Sequence, residues 1–186
     1  MNYNELLKYY SRRDVQKEIV HLSRNREVAI KYGDKGFGKR PDSIQFDNDI
    51  LEFAKSGATS FSISVEHWRD PLKLATNLNK KQLDELRIGW DFMIDIDASN
   101  LDYAKVAASL IIDALLFHDI KHISVKFSGN RGFHISVPFN SFPPSINNQE
   151  TSILYPDTAK IIAMYLKHFI SDELKNKLNT QKPTSL

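Results

Sequence analysis

Between Arg13 and Leu22 the apolar positions Val15, Ile19, Val20 and Leu22 recur at helical spacing among polar residues, which predicts an amphipathic helix. A short strand, Val28 to Tyr32, follows, and then Gly33 to Arg40, whose three glycines and three basic residues suit a loop ahead of Pro41. That loop lacks the Gly-Lys-Ser/Thr ending of a P-loop, so it reads as a hairpin or surface loop. Asp47 to Ala54 predicts a short helix. Phe61, Ile63 and Val65 alternate with Ser62, Ser64 and Glu66, the period of a half-buried strand that ends before Pro71. A further helix is expected over Lys80 to Leu86 and a strand over Trp90 to Asp97, after which Asn100 caps a helix from Leu101 to Phe117. Lys121 to Val137 predicts two strands around the turn Gly129-Asn130-Arg131-Gly132. Pro138 to Asn148, with three prolines, reads as an exposed loop, and Pro156 opens a long amphipathic helix toward Leu178.

Helices mixed with strands, one hairpin among them, predict an α+β fold: a mixed sheet with packed helices, not a doubly wound parallel one. At 186 residues the chain has the size of one domain, expected over residues 1–179 with a disordered tail at 180–186. Hydrophobic residues at 41% and charged residues at 26% match folded proteins and exclude a disordered or fibrous class. No apolar run approaches the roughly 20 residues that cross a bilayer, and Met1 to Tyr10 is no signal peptide, so a cytoplasmic protein without membrane partners is expected. With no cysteine, thiolate zinc sites, iron–sulfur clusters and cysteine nucleophiles drop out, which leaves carboxylates and histidines to bind a hard, oxygen-liking metal. The net charge of +2 hides an asymmetry: Met1 to Arg40 holds five Lys and five Arg against five acids, a net of +5, leaving −3 for the remainder. A basic segment suits a polyanionic partner but equally a solvated helix face.

The chemistry gathers at two motifs. On the strand Trp90 to Asp97, alternation sends Phe92, Ile94 and Ile96 to one face and Asp91, Met93, Asp95 and Asp97 to the other. Carboxylates two residues apart, roughly 6.5 Å at Cα, can share one cation. Magnesium or manganese held so leaves positions open for phosphates, as nucleotidyl transfer requires. An Asp-x-Asp at a strand end also serves as a loop entry or helix cap, but Asn100 is available for capping and frees both acids.

In the hairpin, Ser128 and His134 are expected near each other across the turn, with Arg131 at the tip. The hydroxyl, imidazole and guanidinium, with amides at Gly129, Asn130 and Gly132, form a donor set for triphosphate oxygens. His21, His67, His118, His122 and His168 lack such company and read as surface or packing residues.

Phe92-Met93-Ile94-Asp95-Ile96-Asp97 and Ser128-Gly129-Asn130-Arg131-Gly132-Phe133-His134, in that order and spacing, resemble the small catalytic subunit of archaeal and eukaryotic DNA primases. Weaker similarity reaches Tyr9-Tyr10, Arg26-Glu27, Arg40 and Ser64-Val65-Glu66-His67-Trp68, so that it covers roughly residues 3–140. The resemblance implies an RRM-like palm, synthesis of short primers on a DNA template from nucleoside triphosphates, a two-metal mechanism with Mg²⁺ or Mn²⁺, and a partner large subunit. It assigns metal to Asp95 and Asp97 and triphosphate to Ser128, Arg131 and His134, with Glu27 (catalytic) and Arg40 (nucleotide-binding) nearby; for the last two a surface-charge role is equally open. Two departures stand out. The family carries a third carboxylate on a strand beyond the hairpin, where this sequence offers only Asp157 and Asp172 in or beside a helix, and Ala98 to Lys121 holds no cysteine zinc element. The site is therefore expected to be incomplete, completed by another chain, or differently built. A non-catalytic nucleotide- or nucleic-acid-binding subunit and a sugar-nucleotide transferase using Asp-x-Asp are the alternatives.

Overall fold

The structure, a computed structural model, describes residues 2–180 and is α+β. The tail expected at 180–186 lies, from residue 181 on, outside the described residues. The chain divides into two compact units, Met1–Gly89 and Trp90–Leu186, each with its own apolar core.

The first unit begins with a helix that the periodicity argument left out, α1 (Tyr3–Tyr10). Asn2 and Glu5 cap it reciprocally, the Glu5 amide donating to Asn2 Oδ1 at 2.9 Å and the Asn2 amide to Glu5 Oε2 at 3.0 Å. Leu6 and Tyr10, one turn apart, enter the core. The expected amphipathic helix is α2 (Arg13–Ser23), and Asp47–Lys55 forms α3. These helices pack around β1 (Val28–Lys31) and β2 (Ser60–Ile63), an antiparallel pair in which Ile30 faces Phe61. The alternation through Val65 does not continue as one strand. Ser64 interrupts it, its hydroxyl accepting from the Glu27 amide and donating to the Glu66 carbonyl at 2.7 Å, and the chain resumes as β3 (Glu66–Trp68). Helix α4 (Lys80–Leu86) leads directly into β4 (Arg87–Trp90), the partner of β3.

The second unit holds the larger sheet. The strand expected from Trp90 is broken at Asp91, whose carboxylate accepts from the Phe139 amide at 3.0 Å, so β5 runs Phe92–Asp97. Helix α5 (Leu101–Phe117) follows, with Asn100 capping as expected: its side chain accepts from the Asp102 amide at 2.8 Å. Ala104, Ala108, Ile111 and Leu115 recur one helical turn apart and bury against the sheet. The hairpin is β6 (Ser124–Phe127) and β7 (Gly132–Val137), and β7 sits between β5 and β6, antiparallel to both.

Beyond Pro138 the expected loop is more ordered than its prolines suggest. Phe139 to Ser141 make a 3₁₀ turn, and a two-stranded hairpin pairs β8 (Ser145–Ile146) with β9 (Gln149–Glu150). Fully buried Trp90 organises this segment: Phe142 packs on its ring at 4.9 Å, and its indole N–H donates to the Thr151 carbonyl at 2.9 Å. The long C-terminal helix is two, α6 (Asp157–Phe169) and α7 (Ser171–Thr180), which meet at buried Ile170 so that both reach α5. No helix among the described residues is long and apolar enough to cross a membrane.

Candidate functional site

The β5–β7–β6 sheet has one face in the core and one open. Phe92, Ile96, Ile135 and Val137 are buried beneath it, while the alternate positions of β5, Met93, Asp95 and Asp97, are exposed. Register then assembles the open face row by row. Asp95 lies opposite His134, which lies opposite Lys126; Asp97 lies opposite Gly132, whose carbonyl accepts from the Ser128 amide at 2.9 Å. Five of the residues singled out from the sequence, Asp95, Asp97, Ser128, Gly132 and His134, thus share one face and one end of the sheet. His134 Nε2 stands 3.4 Å from Asp95 Oδ1, with the carboxylate 70% exposed and the imidazole 33%.

Gly129, Asn130 and Arg131 form the exposed turn beside this end. Gly129 has φ of +93°, a conformation that favours glycine. Gly132 is glycine for a different reason: a Cβ there would stand 2.0 Å from the Ile96 carbonyl oxygen, so the bare Cα lets β7 approach β5 between the two aspartates. The requirement for glycine here is therefore steric. Lys126 is the residue that motif reading passed over. Its signal was present, since alternation along Ser124 to Ser128 puts the ammonium on the face of Ser124 and Ser128.

Glu27 and Arg40 belong to the first unit, where they pair with each other. Arg40 Nε and Nη2 donate to Glu27 Oε1 and Oε2, both at 2.8 Å, in a bidentate fork. The hydrogen bond to Glu27 raises the pKa of the Arg40 guanidinium. Both oxygens of Glu27 are thereby engaged. The weaker upstream similarities also fall on residues with structural partners. Tyr10 packs edge-on against Phe61 and donates to the Thr59 carbonyl, Arg26 donates to the Ser64 carbonyl at 2.9 Å, and Glu66 holds Arg87 at 2.8 Å. His118 likewise sits in an aromatic group, 2.9 Å from the Tyr165 hydroxyl.

Two exposed carboxylates on one strand face suit a magnesium-type ion, which takes one or two carboxylates and fills its remaining positions with water and phosphate oxygens. No group of three or more His, Asp or Glu placed to hold a metal occurs among the described residues. Asp157 and Asp172 lie in the first turns of α6 and α7.

No protein-family model matches the chain. Over 61 residues, 32% of its length, the chain is similar to an uncharacterized protein of Methanocaldococcus jannaschii at 36% identity, and the match spans 14% of that protein. The name of that relative carries no activity, so the comparison adds no role to any residue.

Proposed function

We propose that the open face of the second unit is a primase-type nucleotidyl-transfer site, which makes short primers on a DNA template from nucleoside triphosphates. The observation that carries this reading is the register of the sheet: Asp95 opposite His134 and Asp97 opposite Gly132, beside a turn bearing Ser128 and Arg131. The order of elements supports it too. A strand, a helix and a hairpin whose second strand returns between the first two is how an RRM-like sheet begins.

In this reading Asp95 and Asp97 hold Mg²⁺ or Mn²⁺. The ion, when bound, neutralises triphosphate charge and favours ionisation of the attacking hydroxyl. Arg131 grips phosphate oxygens through its paired N–H groups, and Ser128 and the turn amides donate to the same oxygens. His134, held beside Asp95, orients a further oxygen, while Lys126 in the same row adds positive charge. The primer 3′-oxygen bonds to the α-phosphorus, the bond to the β-phosphate oxygen breaks, the hydroxyl proton passes to water and pyrophosphate leaves. The chain's own contribution is position and charge. A large subunit and a DNA template belong to the same proposal.

A second reading, a non-catalytic nucleotide- or nucleic-acid-binding subunit, is favoured by one observation: among the described residues Asp95 and Asp97 belong to no group of three or more His, Asp or Glu placed to hold a metal. Incorporation of labelled nucleotide on a DNA template, with Mg²⁺ or Mn²⁺, separates the two. The primase reading expects template-dependent products from the wild type and none from Asp95→Ala or Asp97→Ala. Products from either variant contradict it.

A further inference from the structure

We propose that the first unit carries a binding site for the backbone of single-stranded nucleic acid, in a cleft at the C-terminal end of α2. The proposal goes beyond the nucleotidyl-transfer reading and does not depend on it. The cleft has a volume of about 450 Å³, within the range of ligand sites, and is lined entirely by residues of the first unit. Arg24 and Arg69 line it with Ser43 and Gln45, and Ile44 and Leu72 supply apolar surface. Backbone geometry brings the two arginines together. The Trp68 amide donates to the Asn25 carbonyl at 2.6 Å, so Arg24 and Arg69 each adjoin one partner of a single hydrogen bond.

Neither guanidinium has an ion-pair partner among the described residues, unlike Arg12, Arg40 and Arg87. The acid of the cleft, Asp70, is already occupied: its carboxylate accepts from the Leu72 amide and lies 3.6 Å from Lys73. A polar, partly cationic row extends outward along α2. Arg13, Lys17 and His21 recur every fourth residue, all exposed, and neither Arg13 nor Lys17 is paired, while neighbouring Asp14 is held by Arg12. Unpaired cations in a row, Arg13 and Lys17 leading to Arg24, suit repeating phosphates better than a single anion. Phe46, directly after Gln45, is 67% exposed, and an exposed aromatic ring close in sequence to a basic cleft is the combination that binds single strands by stacking and charge together.

The test is anisotropy of a labelled oligothymidylate of about 12 nucleotides, titrated in EDTA across a salt series. The proposal expects binding by the wild type and, in Arg24→Ala/Arg69→Ala, at least roughly tenfold weaker affinity with a salt slope smaller by about 1.4, or ~0.7 per phosphate contact. Phe46→Ala is expected to weaken binding roughly tenfold at unchanged slope. Lys175→Ala/Lys177→Ala, an equal charge loss on α7, leaves both quantities alone. Absence of wild-type binding, an unchanged slope in the arginine variant, or equal weakening by the α7 variant overturns the proposal. Displacement of the oligonucleotide by equimolar nucleoside triphosphate or inorganic phosphate overturns it in favour of a small-anion site. Asp95→Ala/Asp97→Ala binds the oligonucleotide as the wild type does, so failure of the nucleotidyl-transfer reading and failure of this one are separate results.

Discussion

Gly132→Ala is expected to destabilise the second unit and disturb the candidate site at once. The added Cβ would lie 2.0 Å from the Ile96 oxygen, where ordinary contact begins near 3.4 Å, so β5 and β7 must separate by about 1.4 Å at that point. Asp97 opposite Gly132 and Ile96 opposite Phe133 are the pairs affected. Loss of about two ladder hydrogen bonds at ~1 kcal/mol each, with ~1–2 kcal/mol of overpacking strain, gives about 3–4 kcal/mol. Urea unfolding followed by tryptophan fluorescence reads this directly. The chain has two tryptophans, and a Trp68→Phe background leaves buried Trp90 as the reporter of the second unit. A loss below about 1 kcal/mol would refute the argument that close strand approach requires glycine here.

Other expectations rest on particular contacts. Lys126→Ala should weaken triphosphate binding about fivefold near 0.1 M salt and less at higher salt, as a screened surface charge does; unchanged affinity at low salt removes Lys126 from the site. Arg87, with a side chain 5% exposed between Glu66 and Asp84 and stacked 5.2 Å from the Trp68 ring, is expected to cost about 3–5 kcal/mol when replaced by alanine, measured by urea unfolding with Trp68 fluorescence. A loss under about 1 kcal/mol contradicts that. For Asp84, burial pushes the carboxyl pKa up but hydrogen bonds from Lys80 and Arg87 outweigh it, and the net shift is downward. A lowered folded pKa means stability present above the unfolded value of about 4 and lost as pH falls through the folded one. Thermal melts between pH 7 and pH 2.5 should therefore show an acid-side decline that Asp84→Asn flattens, and an identical decline in the variant rules Asp84 out as its source.

Where the chain's periodicity is strong, sequence and structure agree: α2, α5 and β7 follow from one repeated face each, and Asn100 caps α5 as its position requires. The open face of the sheet was legible for the same reason, because alternation alone separates Asp95 and Asp97 from Phe92 and Ile96. Register was not legible: which residue of β7 lies opposite Asp95 depends on the order β5–β7–β6, a long-range choice, and with it the row of Asp95, His134 and Lys126. Two local signals were present but unused. The Asn-x-x-Glu start of α1 is a capping box, and Asn147-Asn148, both at positive φ, is the turn of the β8–β9 hairpin. The boundary at Gly89–Trp90 falls inside β4, with no run of proline, glycine or serine to mark it. Helix α6 explains why the C-terminal amphipathic pattern was hard to bound: Ile162 and Leu166 pack inward while Ile161 and Met164 stay exposed, so two apolar stripes share one helix.

In the proposed function Asp95 and Asp97 form, with the Ser128 to His134 hairpin, a metal-dependent triphosphate site. Titration of a labelled nucleoside triphosphate into the wild type and into Asp95→Ala/Asp97→Ala, with and without Mn²⁺, tests it most directly. Saturable binding by the wild type, dependent on the metal and absent from the double variant, is the expected result. Binding that is equal in both proteins, or absent from the wild type with Mn²⁺ present, contradicts it.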